Sequence, residues 1–491
     1  MSVHSSVQLG PSHPPNRWSI FYWSVLLCLL GWVGYRAYHL SLVHDEALSF
    51  LIFAGEDPRI RLTANHHPLN TWLMQQCAQL LGPAEWALRA PNVLAFVLYG
   101  GLAGQALLKH TQHWTLLFGG MALFLFNPFL MDFFGLARGY GLSIGFVLAS
   151  SWHFFRVVPD GLADRAADRW RHRHLAAAVA WAVLAIWSNF ASINWLLALL
   201  ALGILRHLAL ARWQPIWWYL LVGMGLLFIV KIPIEALLEL SENDQLYHGQ
   251  QTLSEAFDSM IVFSLYDAPP SFAILKTIQI VFVSFWVAGA VLVVQSEAYE
   301  SPLALALAIL LLMVMGIVAE HWLFDALYPS DRTTLVFLVI WSWVIWLTLE
   351  RIAQQWSKPL GQGLALVLGM GILGNLFNNA NLTHTKIWDY DQDGKTVLSI
   401  IQQLTNDRPH PATLSCTWLF EPSLHYYVMT KNINIQLPPH QVGIQKHTDF
   451  IYNTIHLPWE ATHTTLWKSK RQTTSLYLLK SSSLHPIAQP L

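Results

Sequence analysis

The chain has 491 residues, 54% of them hydrophobic and only 12% charged, with 24 Trp, 25 Phe and a mean hydropathy of +0.40. Soluble proteins average about 25% charged residues, so this composition excludes an ordinary soluble globule and marks an integral membrane protein. A net charge of -1 carries no sign of a nucleic-acid binder, and the three scattered cysteines, Cys28, Cys77 and Cys416, provide neither a disulfide framework nor a CxxC metal site.

Residues 1–17 are polar and too long for the n-region of a signal peptide. No small-residue cleavage site follows the first apolar run, which is expected to be a retained helix. Apolar runs of the roughly 20 residues that a bilayer demands lie at 18–38, 84–108, 114–131, 139–155, 175–205, 213–230, 277–294, 302–319, 333–349 and 361–377. The run 175–205 is about a third too long for one span. Its middle, Ser188-Asn189-Phe190-Ala191-Ser192-Ile193-Asn194, suits a polar turn, and splitting it there gives eleven spans.

Basic residues set the sides. Arg156, Arg165, Arg169, Arg171 and Arg173 precede the long run, and Arg206 and Arg212 follow it. Only a hairpin puts both clusters on the cytoplasmic side, together with Lys109, Arg351 and Lys358. With the N-terminus inside, residues 44–46, 132–138, 233–272, 328–332 and the whole tail then face outward.

The tail turns polar, with a helix-like 395–404 and β-like 413–420, 424–429, 449–456 and 475–479. The expected fold is therefore mainly α: a polytopic membrane helical bundle of about 11 spans over 1–377, and a small α/β domain over 378–491 on the extracytoplasmic face.

Outward charge collects at Asp45, Glu46, His66 and His67, at Asp132 and Arg138, at Asp331 and Arg332, and at Lys231. Acids where a membrane helix emerges are costly to keep near hydrocarbon and invite a functional reading. Spacing alone leaves Asp45 equally open to a bland one: it could cap a helix begun by the apolar run 47–53. Glu46 could be a positioning group, a metal ligand or a first-turn acid favoured by the helix dipole. Each of the adjacent His66 and His67 could be a loop histidine bonded to backbone. Arg138 could grip a phosphate with its planar donors or snorkel to lipid headgroups; Arg332 and Lys231 have the same two readings. Asp132 could be a site acid or the partner of Arg138.

The Asp-Glu pair after the first helix, His66-His67-Pro68-Leu69, and Ala137-Arg138-Gly139-Tyr140 at a helix start resemble the GT-C glycosyltransferases. The group that includes protein O-mannosyltransferases and lipid A aminoarabinose transferases is the nearest in pattern. Tyr328-Pro329-Ser330-Asp331-Arg332 and the outer C-terminal domain resemble bacterial members. One departure is His-His-Pro-Leu, where better-known members more often have two prolines.

The resemblance implies transfer of a sugar from a polyprenyl-phosphate donor to a lipid, protein or glycan acceptor. It places the enzyme in a bacterial inner membrane with its site facing outward, surrounded by membrane lipids. It makes Asp45 the general base of an inverting reaction, with Glu46 beside it. Arg138, Tyr140, Arg332 and Lys231 become donor-phosphate ligands, and His66, His67 and Asp132 supporting or acceptor-binding residues. The resemblance fixes no cofactor; a divalent metal could sit among Asp45, Glu46, Asp132 and His66, although their spacing is not a zinc signature. The chemistry agrees, because a phosphate leaving group needs a cation more than a proton donor, whereas an acceptor hydroxyl gains from a carboxylate base. The rival class is a transporter or flippase of lipid-linked sugars, which predicts charges or broken helices at mid-membrane and internal symmetry.

Overall fold

The computed structural model describes residues 16–55, 67–111, 113–156, 165–209, 223, 225, 229–231, 235, 249–266, 270–406, 408–437, 444–445, 448–454, 463–469 and 474–479. Among these, six helices are long and apolar enough to cross a membrane: Arg17–His39, Glu85–His110, Phe272–Gln295, Pro302–Phe324, Asp331–Trp356 and Lys358–Asn379. A seventh candidate is a bent pair, Trp114–Leu125 with Pro128–Phe134. The protein is mainly α-helical and integral to the membrane. The expected span 213–230 lies almost wholly outside the described residues.

Helices are numbered α1 (Asn16–His39), α2 (His44–Ala54), α3 (Pro68–Leu81), α4 (Glu85–His110), α5 (Trp114–Leu125), α6 (Pro128–Phe134), α7 (Gly139–Phe154), α8 (Arg165–Ser188) and α9 (Ile193–Ala209). Then follow α10 (Leu253–Ser264), α11 (Phe272–Gln295), α12 (Pro302–Phe324), α13 (Leu335–Arg351), α14 (Lys358–Asn379), α15 (Gly394–Thr405) and α16 (Glu421–Lys431). The chain forms two compact units: Met1–Val33, Asn92–Phe134 and Gly139–Ala380 in the first; Gly34–Pro91, Gly135–Arg138 and Asn381–Leu491 in the second.

In the first unit α13 is the hub, packing on α5, α7, α11, α12 and α14. The apolar window of its span is 83% buried, against 22–56% for the other long helices, so protein rather than lipid surrounds it. Polar pins thread this apolar packing: Trp343 Nε1–H donates to Ser151 Oγ at 2.9 Å and Ser342 Oγ–H to the Leu123 carbonyl at 3.0 Å. Gly119 lets α5 approach α14 closely, since a Cβ there would lie 2.9 Å from the Ala365 carbonyl.

Two breaks have local causes. Proline has no N–H to continue a helix, and at Asn127-Pro128 the chain bends 56° between α5 and α6. Asn127 Oδ1 caps the new helix by accepting the Phe129 and Leu130 N–H groups. The polar turn expected near 188–194 is a break too: α8 ends at Ser188, Asn189 Oδ1 accepts the Ala191 N–H at 3.1 Å, and a 3-10 turn, Phe190–Ser192, leads into α9.

The second unit holds a mixed five-stranded sheet of β1 (Ala412–Cys416), β2 (Ile435–Gln436), β3 (Phe450–Thr454), β4 (His463–Lys468) and β5 (Thr474–Leu479), in the order β2-β1-β3-β5-β4. β1 runs parallel to β2 and β3, and β5 antiparallel to β3 and β4. One apolar core joins Leu42, Phe50 and Leu51 at and beside α2, Met74 of α3, Val397 and Ile401 of α15, and Leu414, Phe450 and Leu476 of the sheet. The β-like 424–429 is instead helical, inside α16. Pro422 opens that helix and Asn432, in the left-handed conformation, closes it. Aromatic content there reads as strand, but packing overrides so weak a propensity.

Candidate active site

Helix α2 begins at His44 with Val43 as its N-cap residue, so Asp45 and Glu46 stand in its first turn and Asp45 is not the cap. Both are buried, at 4% and 0% exposure. Their carboxylates have separate guanidinium partners in the same unit.

Glu46 meets Arg89 at 2.6 and 2.8 Å and accepts the backbone N–H groups of Val43 and Ala137. Arg89 spends its other donors on the carbonyls of Ala37, Leu40 and Ser41. That network ties the end of α1, the start of α2, the head of α4 and the 135–138 segment together.

Asp45 Oδ2 lies 3.3 Å from Arg138 Nη2. Arg138 is fully buried and also donates from Nη1 to the Asp45 carbonyl at 3.1 Å and to Ser49 Oγ at 3.4 Å. The guanidinium therefore holds both the backbone and the side chain of Asp45. His67, 4% exposed, is the N-cap residue of α3. His66 lies outside the described residues.

Sequence reasoning missed two residues of this network. Arg89 had a signal, because a cation inside an apolar run needs a buried partner. Asp391 had none. Its Oδ2 accepts the His44 N–H at 2.6 Å from 347 positions away. Burial holds the Asp391 carboxyl well above the usual carboxylate range; hydrogen bonding with His44 and Ser423 opposes this, and the charges of Asp45 and Glu46 reinforce it.

The other candidates belong to the first unit. Arg332 Nε–H donates to the Tyr140 hydroxyl at 3.1 Å. Asp132, buried on α6, accepts the Tyr266 hydroxyl at 2.7 Å. Tyr266 sits at φ 65°, in the left-handed region, which is strained for an aromatic residue. The turn that carries it is gripped from outside: Asn375 donates to the Ser264 carbonyl and Asn379 to that of Leu265. Lys231 is an exposed cation paired with Glu235 one turn on, at 3.4 Å. An apolar cavity of about 380 Å³ lies among Phe257 and Met260 of α10, Val314 and Ile317 of α12, and Phe337 and Trp341 of α13. Pro329 and Thr334, on either side of Arg332 in sequence, also line it.

Among the described residues no group of three or more His, Cys, Asp or Glu is placed to hold a metal ion. Asp45 and Glu46 face guanidinium groups, which occupy the carboxylates that a metal would need from this pair.

No protein-family model matches the chain, and no curated protein sequence does. Solved structures do match. ArnT from Cupriavidus metallidurans in the apo state superposes with a TM-score of 0.57 at 12% identity, covering 94% of this chain and 98% of that one. The same protein bound to undecaprenyl phosphate gives 0.59 at 13% identity, covering 96% and 100%. The chain has the GT-C fold. At such identity the likeness is one of architecture, and within this GT-C fold the chemistry has to be argued from the chain's own residues.

Proposed function

We propose that this GT-C protein is a glycosyltransferase that moves a sugar from a polyprenyl-phosphate donor to an acceptor on the outer face of the membrane, with Asp45 as general base. The observation that carries the reading is the buried Asp45 carboxylate in the first turn of α2, oriented through backbone and side chain by Arg138. An acceptor hydroxyl gives its proton to Asp45 as its oxygen bonds to the anomeric carbon. The bond from that carbon to the phosphate oxygen breaks, and polyprenyl phosphate leaves with the electron pair. Attack opposite the leaving group inverts the configuration.

Arg138 supplies the cation that the developing phosphate charge requires, in the planar form suited to it. Glu46 already accepts four hydrogen bonds from three residues, which suits it to positioning rather than proton transfer. Tyr140 and Arg332 are proposed as donor contacts. The apolar cavity beside the Arg332 segment lies in the roughly 300–1,000 Å³ range of ligand pockets and fits part of an isoprenoid chain. The ArnT match with bound undecaprenyl phosphate supports a lipid-linked donor.

The test supplies purified protein in lipid with a panel of polyprenyl-phosphate sugars and with lipid, glycan and peptide acceptors, and follows acceptor mass. A sugar-sized mass gain that needs the Asp45 carboxylate supports the reading. Movement of donor across vesicles with no product would favour a flippase and overturn it.

A further inference from the structure

Asp391 lies in the 3-10 segment Asp389–Asp393 and is 2% exposed. Its Oδ2 accepts the first N–H of α2, and its Oδ1 lies 3.2 Å from Ser423 Oγ. Ser423 Oγ is also 2.9 Å from the Phe420 carbonyl. A serine hydroxyl has one proton and a carbonyl can only accept. The hydroxyl can point to either oxygen; a proton on Asp391 Oδ1 lets Ser423 accept from Asp391 while donating to Phe420, so that both contacts are hydrogen bonds at once.

Counting charge leads to the same place. Three carboxyls, Asp45, Glu46 and Asp391, gather at the start of α2, and two guanidinium groups answer them: Arg138 on Asp45 and Arg89 on Glu46. No cation contacts Asp391 among the described residues. The other titratable groups facing it give no relief. Tyr452 comes from β3, and Asp389 and Asp393 share its own segment. His44 turns its ring nitrogen to the Leu419 carbonyl at 2.8 Å. The charges of Asp45 and Glu46 act against ionisation of the buried Asp391.

We propose that Asp391 is a positioning residue for Asp45 that works as a neutral acid, fixing the first turn of α2 through His44 while donating its own proton to Ser423. The catalytic part of this rests on Asp45 being the base. The protonation does not. A neutral acid pins the helix start without adding negative charge next to a base and a departing phosphate. A carboxyl whose folded pKa is raised contributes most stability below its unfolded value, and that stability is lost as pH rises towards the folded value.

Infrared spectra of the purified full-length protein at neutral pH should contain a protonated-carboxyl C=O band that vanishes in Asp391→Asn and shifts in Ser423→Ala. The melting temperature of the wild type should contain a component that falls as pH rises above the ordinary aspartate range. Asp391→Asn, whose amide can accept from His44 and donate to Ser423, should lack that component. Asp391→Ala leaves the His44 N–H unpaired and should lower kcat by roughly tenfold, about one buried hydrogen bond, with donor KM little changed. A wild-type spectrum without this band at neutral pH overturns the proposal, as does a melting profile of Asp391→Asn that tracks pH as the wild type does. Should that variant fail to fold, an unshifted band in Ser423→Ala overturns it instead. Unchanged kcat in Asp391→Ala removes the positioning role. The spectral and melting tests need no sugar transfer, so loss of the proposed function would leave them standing.

Discussion

Replacing Arg89 by Met tests whether Glu46 is held as part of the framework. Arg89 is fully buried, and its five N–H groups make five hydrogen bonds: two to Glu46, and one each to Ala37, Leu40 and Ser41. Met fills much of the same volume but strands a buried carboxylate that keeps only the Val43 and Ala137 N–H groups. Removing one partner of a buried ion pair costs about 3–5 kcal/mol, a large part of the roughly 5–15 kcal/mol that holds a domain folded. Arg89→Met should therefore lower the stability of the detergent-purified protein by about that amount in a denaturant titration followed by circular dichroism. Adding Glu46→Gln removes the stranded charge yet keeps a carbonyl to accept from the helix start. The double variant should regain part of the loss. An Arg89→Met protein within about 1 kcal/mol of wild type, the scale of a surface pair, would refute this reasoning, as would a double variant less stable than the single one.

Asp45→Asn removes the basic carboxylate at constant size, and turnover per folded protein in the sugar-transfer assay should fall by roughly 10²–10⁴-fold, alongside a lower melting temperature because the buried Arg138 loses its anion. Normal turnover would end the base assignment. For Arg138, donor affinity should fall from wild type to Lys to Ala, because Lys keeps charge but not the planar fork; equal donor titrations would remove it from the phosphate site. Asp449 tests pH dependence outside the membrane. Partial burial raises its carboxyl, but hydrogen bonds from Thr413 and the Arg408 guanidinium, 3.1 Å away, outweigh this and leave it below the usual range. Its contribution is therefore present above the unfolded pKa and lost as pH falls through the folded one, so Asp449→Asn should melt with a shallower acid-side loss than wild type. Reporter fusions after Asn381 and within 160–169 should report opposite sides of the membrane; the same side for both would break the outward assignment of the tail.

Apolar run length, acids beside a span and turn residues are local signals, and they carried far. Composition alone marked a membrane protein, the polar stretch at Asn189 marked the break between α8 and α9, and Asp45, Glu46 and Arg138 stood out by type and place. Helices at 394–405 and strands at 450–454 and 474–479 were legible from periodicity. Residues 424–429 were misread because Tyr and Val favour strands only where a sheet receives them. The Glu46–Arg89 clamp joins residues 43 positions apart, and the cap that Asp391 places on α2 joins residues 347 apart. No local pattern encodes such pairings, because a carboxylate's partner is whichever donor folding brings to it. The tertiary structure alone decided that residues 34–91 and 381–491 share one core, since the apolar faces of α2, α15 and the sheet state in sequence only that each must be buried.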